Sequence, residues 1–139
     1  MFVRQTNICL KDTDATGVIY FSELLKLALE TFEEFLRPTC FSLKSLLSSK
    51  YLLPVVHAES DYISPLCVDD EVGITMYLDK VGTSSLTLGF DFYNKTSALL
   101  AGTAKITHVV TLKEERCSTP IPQELHDILQ SLQSKAMIS

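Results

Sequence analysis

One stretch of this sequence limits the possible folds more than any other. From Phe21 onward, Leu24, Leu25, Ala28, Leu29, Phe32, Phe35 and Leu36 recur at the spacing of one side of an α-helix. Glu23, Lys26, Glu30, Glu33, Glu34 and Arg37 fill the positions between them. Ser22 or a neighbour is placed to cap the start, and Pro38 ends the run by barring helical geometry from the residue before it. Leu27 widens the apolar stripe until most of the helix must be buried. A helix of this kind has to be wrapped by the rest of the chain.

The remaining sequence supplies the wrapping. Phe2 to Leu10 reads as a first strand with Val3, Ile8 and Leu10 as its apolar members, and Lys11 to Gly17 follows as a polar loop. After the helix, Phe41 to Leu47 forms a short second helix capped by Ser42. From Leu52 the apolar period falls to two. Leu52 to Ile63, Glu71 to Val81, Ser85 to Asn94 and Leu99 to Leu112 are expected as strands. Gly82-Thr83-Ser84 and Asn94-Lys95-Thr96-Ser97 are turns short enough to make antiparallel pairs. Pro120 and Pro122 lead into a last amphipathic helix, Gln123 to about Lys135, with Leu125, Ile128, Leu129 and Leu132 on one face. The order predicts an α+β fold, a curved antiparallel sheet around one long central helix, as a single domain over 1–139. Such a sheet leaves an edge strand and an uncovered face, so a dimer or tetramer is expected.

Composition sets limits on partners. With 139 residues, 46% hydrophobic and 21% charged, the chain is sized and balanced for one globular domain. Its net charge of −5 and scattered Lys and Arg argue against nucleic acid or an anionic membrane as the main partner. Cys9, Cys40, Cys67 and Cys117 stand far apart without a zinc or redox spacing, as free thiols in a reducing compartment would. Met1-Phe2-Val3-Arg4-Gln5 carries no signal-peptide run, and no stretch reaches the ~20 apolar residues of a membrane helix. A cytoplasmic protein is expected.

The chemistry concentrates ahead of the long helix. Asp12 and Asp14 flank Thr13, and Gly17 follows shortly before the helix begins. A helix start offers unpaired N–H groups and the positive end of its dipole, which together hold a carbonyl and stabilise an oxyanion. A carboxylate beside that carbonyl attacks it or deprotonates a water. Gly17 removes a side chain from the approach, and the N–H groups near Tyr20 and Phe21 lie at the helix start. Taken alone, the pattern describes two aspartates capping or solvating a turn, as most such loops do.

Asp12-Thr13-Asp14-Ala15-Thr16-Gly17-Val18-Ile19-Tyr20-Phe21 resembles the signature of the 4-hydroxybenzoyl-CoA thioesterase family of hotdog proteins. Glu30-Thr31-Phe32-Glu33-Glu34, Tyr62-Ile63-Ser64-Pro65, Asp70-Glu71-Val72, Gly82-Thr83-Ser84-Ser85, Gly102-Thr103-Ala104-Lys105 and Pro120-Ile121-Pro122 are similar to later segments of that family. The resemblance implies an acyl-CoA substrate, with Asp14 as the catalytic carboxylate and the Phe21 backbone N–H polarising the thioester carbonyl. Relatives often carry histidine or tyrosine where this chain has Phe21, which leaves only the backbone role there. Tyr20-Phe21 with Glu30, Glu33 and Glu34 is more similar to the branch that hydrolyses 1,4-dihydroxy-2-naphthoyl-CoA, implying an aromatic acyl group. Asp12, Glu30 and Tyr62 are then candidate substrate contacts.

Other residues carry weaker signals. The three glutamates also read as a solvated helix face, and His57 and His108 as strand histidines satisfied by neighbours. His126 is expected on an exposed helix face. Lys95, Lys113 and Arg116 are cations available to CoA phosphates or to solvent. No H-E-x-x-H, P-loop or dinucleotide fingerprint occurs, so no metal or cofactor is implied. A short-chain acyl-CoA or acyl carrier protein thioesterase remains open as an alternative, as does a non-catalytic acyl-CoA-binding protein. A dehydratase would want a histidine near Asp14, and none is there.

Overall fold

Alternation and helical period sort the chain as the pattern requires. In the computed structural model, which describes residues 1–20 and 22–132, the order is β1 (Phe2–Asn7), α1 (Glu23–Leu36), α2 (Leu43–Ser48), β2 (Tyr51–Leu52), β3 (Val55–Tyr62), β4 (Glu71–Val81), β5 (Ser85–Asn94), β6 (Leu99–Val109), β7 (Thr111–Leu112) and α3 (Gln123–Gln130). Five strands form one antiparallel sheet in the order β1-β4-β5-β6-β3. The meander β4-β5-β6 is its centre, and β1 and β3 are its edges.

The period of two decides what the sheet presents to the helix. Ile74 and Met76 of β4, Leu88, Phe90 and Phe92 of β5, and Ala104 and Ile106 of β6 are all buried. They share one core with Leu24, Leu27, Ala28, Phe32 and Leu36 of α1. Each large side chain buried this way contributes about 1.5–3 kcal/mol. The sheet therefore wraps the helix, and the hotdog architecture expected from the sequence is the one observed. Gly102 lets the two layers meet: a Cβ there would stand 2.7 Å from the Asp61 carbonyl oxygen and 2.9 Å from Leu24 Cδ1.

The structure departs from the sequence reading in particulars. The first strand ends at Asn7, before Leu10. Val3 and Leu10 are 54% and 76% exposed, and only Ile8 of the three expected core residues is buried. Phe2, Arg4 and Thr6 occupy the more covered side instead. Arg4 is tolerated there because its guanidinium meets Glu30 Oε2 at 3.3 Å and Glu34 Oε2 at 3.0 Å. The expected strand 52–63 breaks at Pro54, which has no N–H to give a ladder, and 99–112 breaks at Val110; β2 and β7 pair with each other as a separate ribbon. Ser22 occupies the cap position of α1 without a side-chain cap bond. Ser42 does cap α2, accepting from Ser45 N at 3.2 Å. At the other end of α2, Lys113 Nζ donates to the carbonyls of Leu46 and Leu47 at 2.7 and 2.8 Å. Helix α3 packs Leu125, Leu129 and the following Leu132 into the core, leaves His126 half-buried, and its expected reach to Lys135 lies outside the described residues.

Replacing Gly102 by valine is expected to lower stability by about 1–3 kcal/mol, because a side chain must be forced between β3, β6 and α1. Urea unfolding checks this; a midpoint equal to the parent's would contradict the seating of Leu24 on Gly102.

Candidate active site

The segment between β1 and α1 is tied down by backbone bonds on both sides. Thr13 and Ile19 form an isolated antiparallel bridge, and Asp14 N–H donates to Val18 O at 3.0 Å. Gly17 N–H closes the turn onto Asp14 O at 3.1 Å, with Gly17 at φ +78. A Cβ at Gly17 would meet nothing within 4 Å, so glycine is required by the backbone angle rather than by space. Neighbouring chain then anchors the hairpin: Ile19 N–H donates to Leu66 O at 2.7 Å, and Val68 N–H to Gly17 O at 3.1 Å.

The two aspartates separate completely. Asp12 is 4% exposed, and its Oδ2 accepts from Cys9 N–H at 2.9 Å. Its carbonyl accepts from Tyr20 N–H at 2.8 Å. Asp12, expected among the substrate contacts, is thus turned inward as a clamp between the two ends of the loop. Asp14 is exposed at the hairpin tip, where Oδ1 accepts from the Thr16 hydroxyl and from Thr16 N–H. The hydroxyl first, then the N–H, with a lesser contribution from Val18, hold its carboxyl below the ordinary carboxylate range. It is therefore ionised at neutral pH.

Beside the hairpin lies a cavity of about 250 Å³ lined by Val18, Ile19, Tyr62, Ile63, Ser64 and Pro65. The Tyr62 hydroxyl lies 3.5 Å from the Tyr20 carbonyl oxygen, so Tyr62 and Tyr20 are brought together here. Partial burial, and then the charge of Glu23, push the Tyr62 phenol above its ordinary pKa. Glu23 stands in the first turn of α1 with a side chain only 16% exposed, 3.5 Å from Lys26 Nζ. The sequence reading passed over Glu23 as one polar position among several. Its place at the very start of α1 was the available signal.

Other expected residues are placed elsewhere. Glu30 faces Arg4 rather than this cavity, and Phe21 lies outside the described residues. His57 is 63% exposed and 4.0 Å from Glu59. His108 is buried far along β6. Lys113 is occupied by α2, as above. The four cysteines are free and exposed, and no cluster among the described residues could hold a metal. No helix among them is long and apolar enough to cross a membrane.

The pattern of the thioesterase-like superfamily matches residues 8–129. The chain belongs to that superfamily. A 1,4-dihydroxy-2-naphthoyl-CoA hydrolase of Prochlorococcus marinus (strain NATL1A) is 37% identical over 117 residues, covering 77% of each chain. Another from Rippkaea orientalis is 33% identical and covers 91% of this chain and 94% of its own. The crystal structure of a 1,4-dihydroxy-2-naphthoyl-CoA thioesterase from Synechocystis superposes with a TM-score of 0.87 at 27% identity, over 94% of this chain and 96% of that one. These matches make the chain a thioester hydrolase of the hotdog class.

For a hotdog thioesterase the division between the aspartates has consequences that separate in experiment. Asp12→Ala leaves the Cys9 N–H without its acceptor and is expected to cost about 1–3 kcal/mol of stability, read by thermal or urea unfolding. Asp14→Asn should leave the unfolding midpoint nearly where it is, since the carboxylate is exposed; a large drop would make Asp14 a structural residue. Thr16→Val removes the first cause of the low Asp14 pKa. The protonated form then appears at higher pH, so the acid limb of a kcat/KM profile should move upward. An unmoved limb would detach Asp14 from the titration that controls activity.

Proposed function

We propose that this chain hydrolyses an aromatic acyl-CoA, of the kind represented by 1,4-dihydroxy-2-naphthoyl-CoA or 4-hydroxybenzoyl-CoA, to the free acid and CoA. The observation that carries the reading is an ionised, exposed carboxylate, Asp14, fixed at the tip of a braced hairpin beside an apolar cavity. The names of relatives matched along most of both chains support the aromatic substrate.

In this reading the thioester carbonyl sits at the hairpin with its oxygen toward the backbone N–H of Phe21. Asp14 attacks the carbonyl carbon, the C–S bond breaks, and CoA leaves as the thiolate. Water then cleaves the resulting anhydride and frees the acid. Held ionised at neutral pH, Asp14 is available for this attack without first losing a proton. Gly17 holds the turn, and Tyr20 and Tyr62, brought together beside the cavity, flank the carbonyl. CoA itself is substrate, and the mechanism uses no cofactor.

We place the enzyme in the cytoplasm as a homo-oligomer, a homotetramer built from dimers. The edge strand β3 supports the pairing: Val55, Val56 and Tyr62, with Ile63 beyond it, are exposed, and among the described residues the strand has a neighbour on one side only. Two copies joined edge to edge through β3 run antiparallel about a two-fold axis.

Thiol release from aromatic and aliphatic CoA thioesters tests the reaction, with Asp14→Asn beside the parent. Fastest release on an aryl-CoA, with kcat at least about a hundredfold lower in the variant, is the expected result. Fastest release on short aliphatic esters would overturn the aromatic assignment, and full activity in the variant would remove Asp14 from the mechanism. Ala58→Pro, in the middle of β3, takes an N–H from the proposed seam. Sedimentation should then show a smaller species than the parent.

A further inference from the structure

Asn94 and Asp70 form a hydrogen-bonded pair that the proposed reaction leaves unused. Asn94, the last residue of β5, is a polar side chain only 2% exposed. Its neighbours orient the amide. Oδ1 accepts from Thr96 N–H at 2.9 Å and from Ser97 N–H at 3.2 Å, in the turn before β6. Nδ2 therefore faces the other way, and it donates to Asp70 Oδ2 at 2.9 Å. The turn needs only the acceptor, which an aspartate would supply as well. What an aspartate could not supply is the donor to Asp70.

Asp70 Oδ2 also accepts from Cys67 N–H at 2.8 Å. Asp70 N–H donates back to the Cys67 carbonyl at 3.0 Å, so residues 67–70 close a tight turn. Asp69 in that turn has φ +70, a left-handed angle that is costly for a residue with a Cβ. The bonds around it must hold the turn in place. The main chain here reaches a third segment: Ile8 N–H donates to Asp70 O at 2.9 Å, and Asp69 N–H to Ile8 O at 2.8 Å. Asp70 thereby joins the chain just ahead of the Asp14 hairpin to the chain packed behind it.

The hairpin depends on that junction. Both main-chain groups of Asp14 bond within the hairpin, to Val18 and Gly17, so the tip moves as one piece with its outer arm. The outer arm rests on residues 66–68: Ile19 N–H bonds Leu66 O, Val68 N–H bonds Gly17 O, and Val18 bridges Cys67. Cys67 turns its own N–H and carbonyl the other way, as extended chain alternates, and Asp70 takes both. Asp14, the outer arm, residues 66–68, Asp70 and Asn94 thus follow one another as a single line of support. A misplacement of about 1 Å at a reacting group costs about a hundredfold in rate, so the far end of such a line bears on the chemistry.

We infer that Asp70 and Asn94 are positioning residues for thioester cleavage: Asn94 holds the Asp70 carboxylate on the Cys67 N–H, and residues 66–68, so held, set the place of Asp14 against the start of α1. The inference rests on the reading of Asp14 as the attacking carboxylate. Neither residue touches the substrate, so weakening the pair lowers kcat and leaves KM alone.

The test is Asn94→Asp, which keeps an oxygen for Thr96 and Ser97 but sets a second carboxylate where Asp70 needs a donor. On the best CoA ester of the parent, kcat should fall about tenfold with KM within about twofold. In the Asp14→Asn background the same change should leave the residual kcat where it is, because its effect passes through Asp14. The Val68 amide should exchange with solvent hydrogen faster than in the parent, while that of Phe90 in β5 keeps its rate. Asn94→Ser withdraws the donor without adding charge; it should give the same pattern, and it serves if Asn94→Asp does not fold. A folded variant with the parent's kcat, or an equal fall with and without the Asp14 carboxylate, would overturn the positioning role alone. Full activity in Asp14→Asn would sink the reading beneath the inference, and the inference with it.

Discussion

Everything in this molecule depends on hiding α1. Its buried stripe, from Leu24 to Leu36, is too broad for one flat layer to cover, so the sheet must curve around it. That curvature puts the start of α1 next to the turn after β3 and leaves β3 as a bare edge. The hairpin carrying Asp14 is the segment that joins β1, on one edge of the sheet, to this central helix. Its position follows from the packing and needs no separate instruction.

The same geometry explains why two aspartates two residues apart do different work. The hairpin has an inner and an outer side, fixed by the Thr13–Ile19 bridge. Asp12 falls on the inner side, and its carboxylate holds an amide that would otherwise be orphaned. Asp14 falls at the tip, where Thr16 stabilises its charge and nothing shields it. Charge at the tip and cross-bracing behind it are complementary: a reactive carboxylate is of use only when its position is fixed.

Periods, prolines and turns were legible in the sequence because each acts locally. Strands β4 and β5 run between the residues their alternation marks out, and α1 stops ahead of Pro38 as it must. The first strand was misjudged because Val3 and Leu10 look like core residues, while the actual inward member, Arg4, is acceptable only beside Glu30 and Glu34, 26 and 30 residues away. The family resemblance singled out Asp14 over Asp12, but the inward turn of Asp12 was not legible, since burial at that scale is set by the hairpin's bonds to Leu66 and Val68. Glu23 near Tyr62 and His108 against Phe32 are likewise contacts between distant segments, which no local pattern encodes.

The six residues of α2 are too few to be helical on their own. Leu46 in the core, the Ser42 cap and the Lys113 ammonium on its last carbonyls keep it in place. A short element fastened at so few points is where a fold opens first, well below the free energy of global unfolding. Its amides should therefore exchange with solvent hydrogen sooner than those of β5. Because α2 forms one wall of a cavity that His108 also lines, opening of this single turn and a half opens that cavity as well.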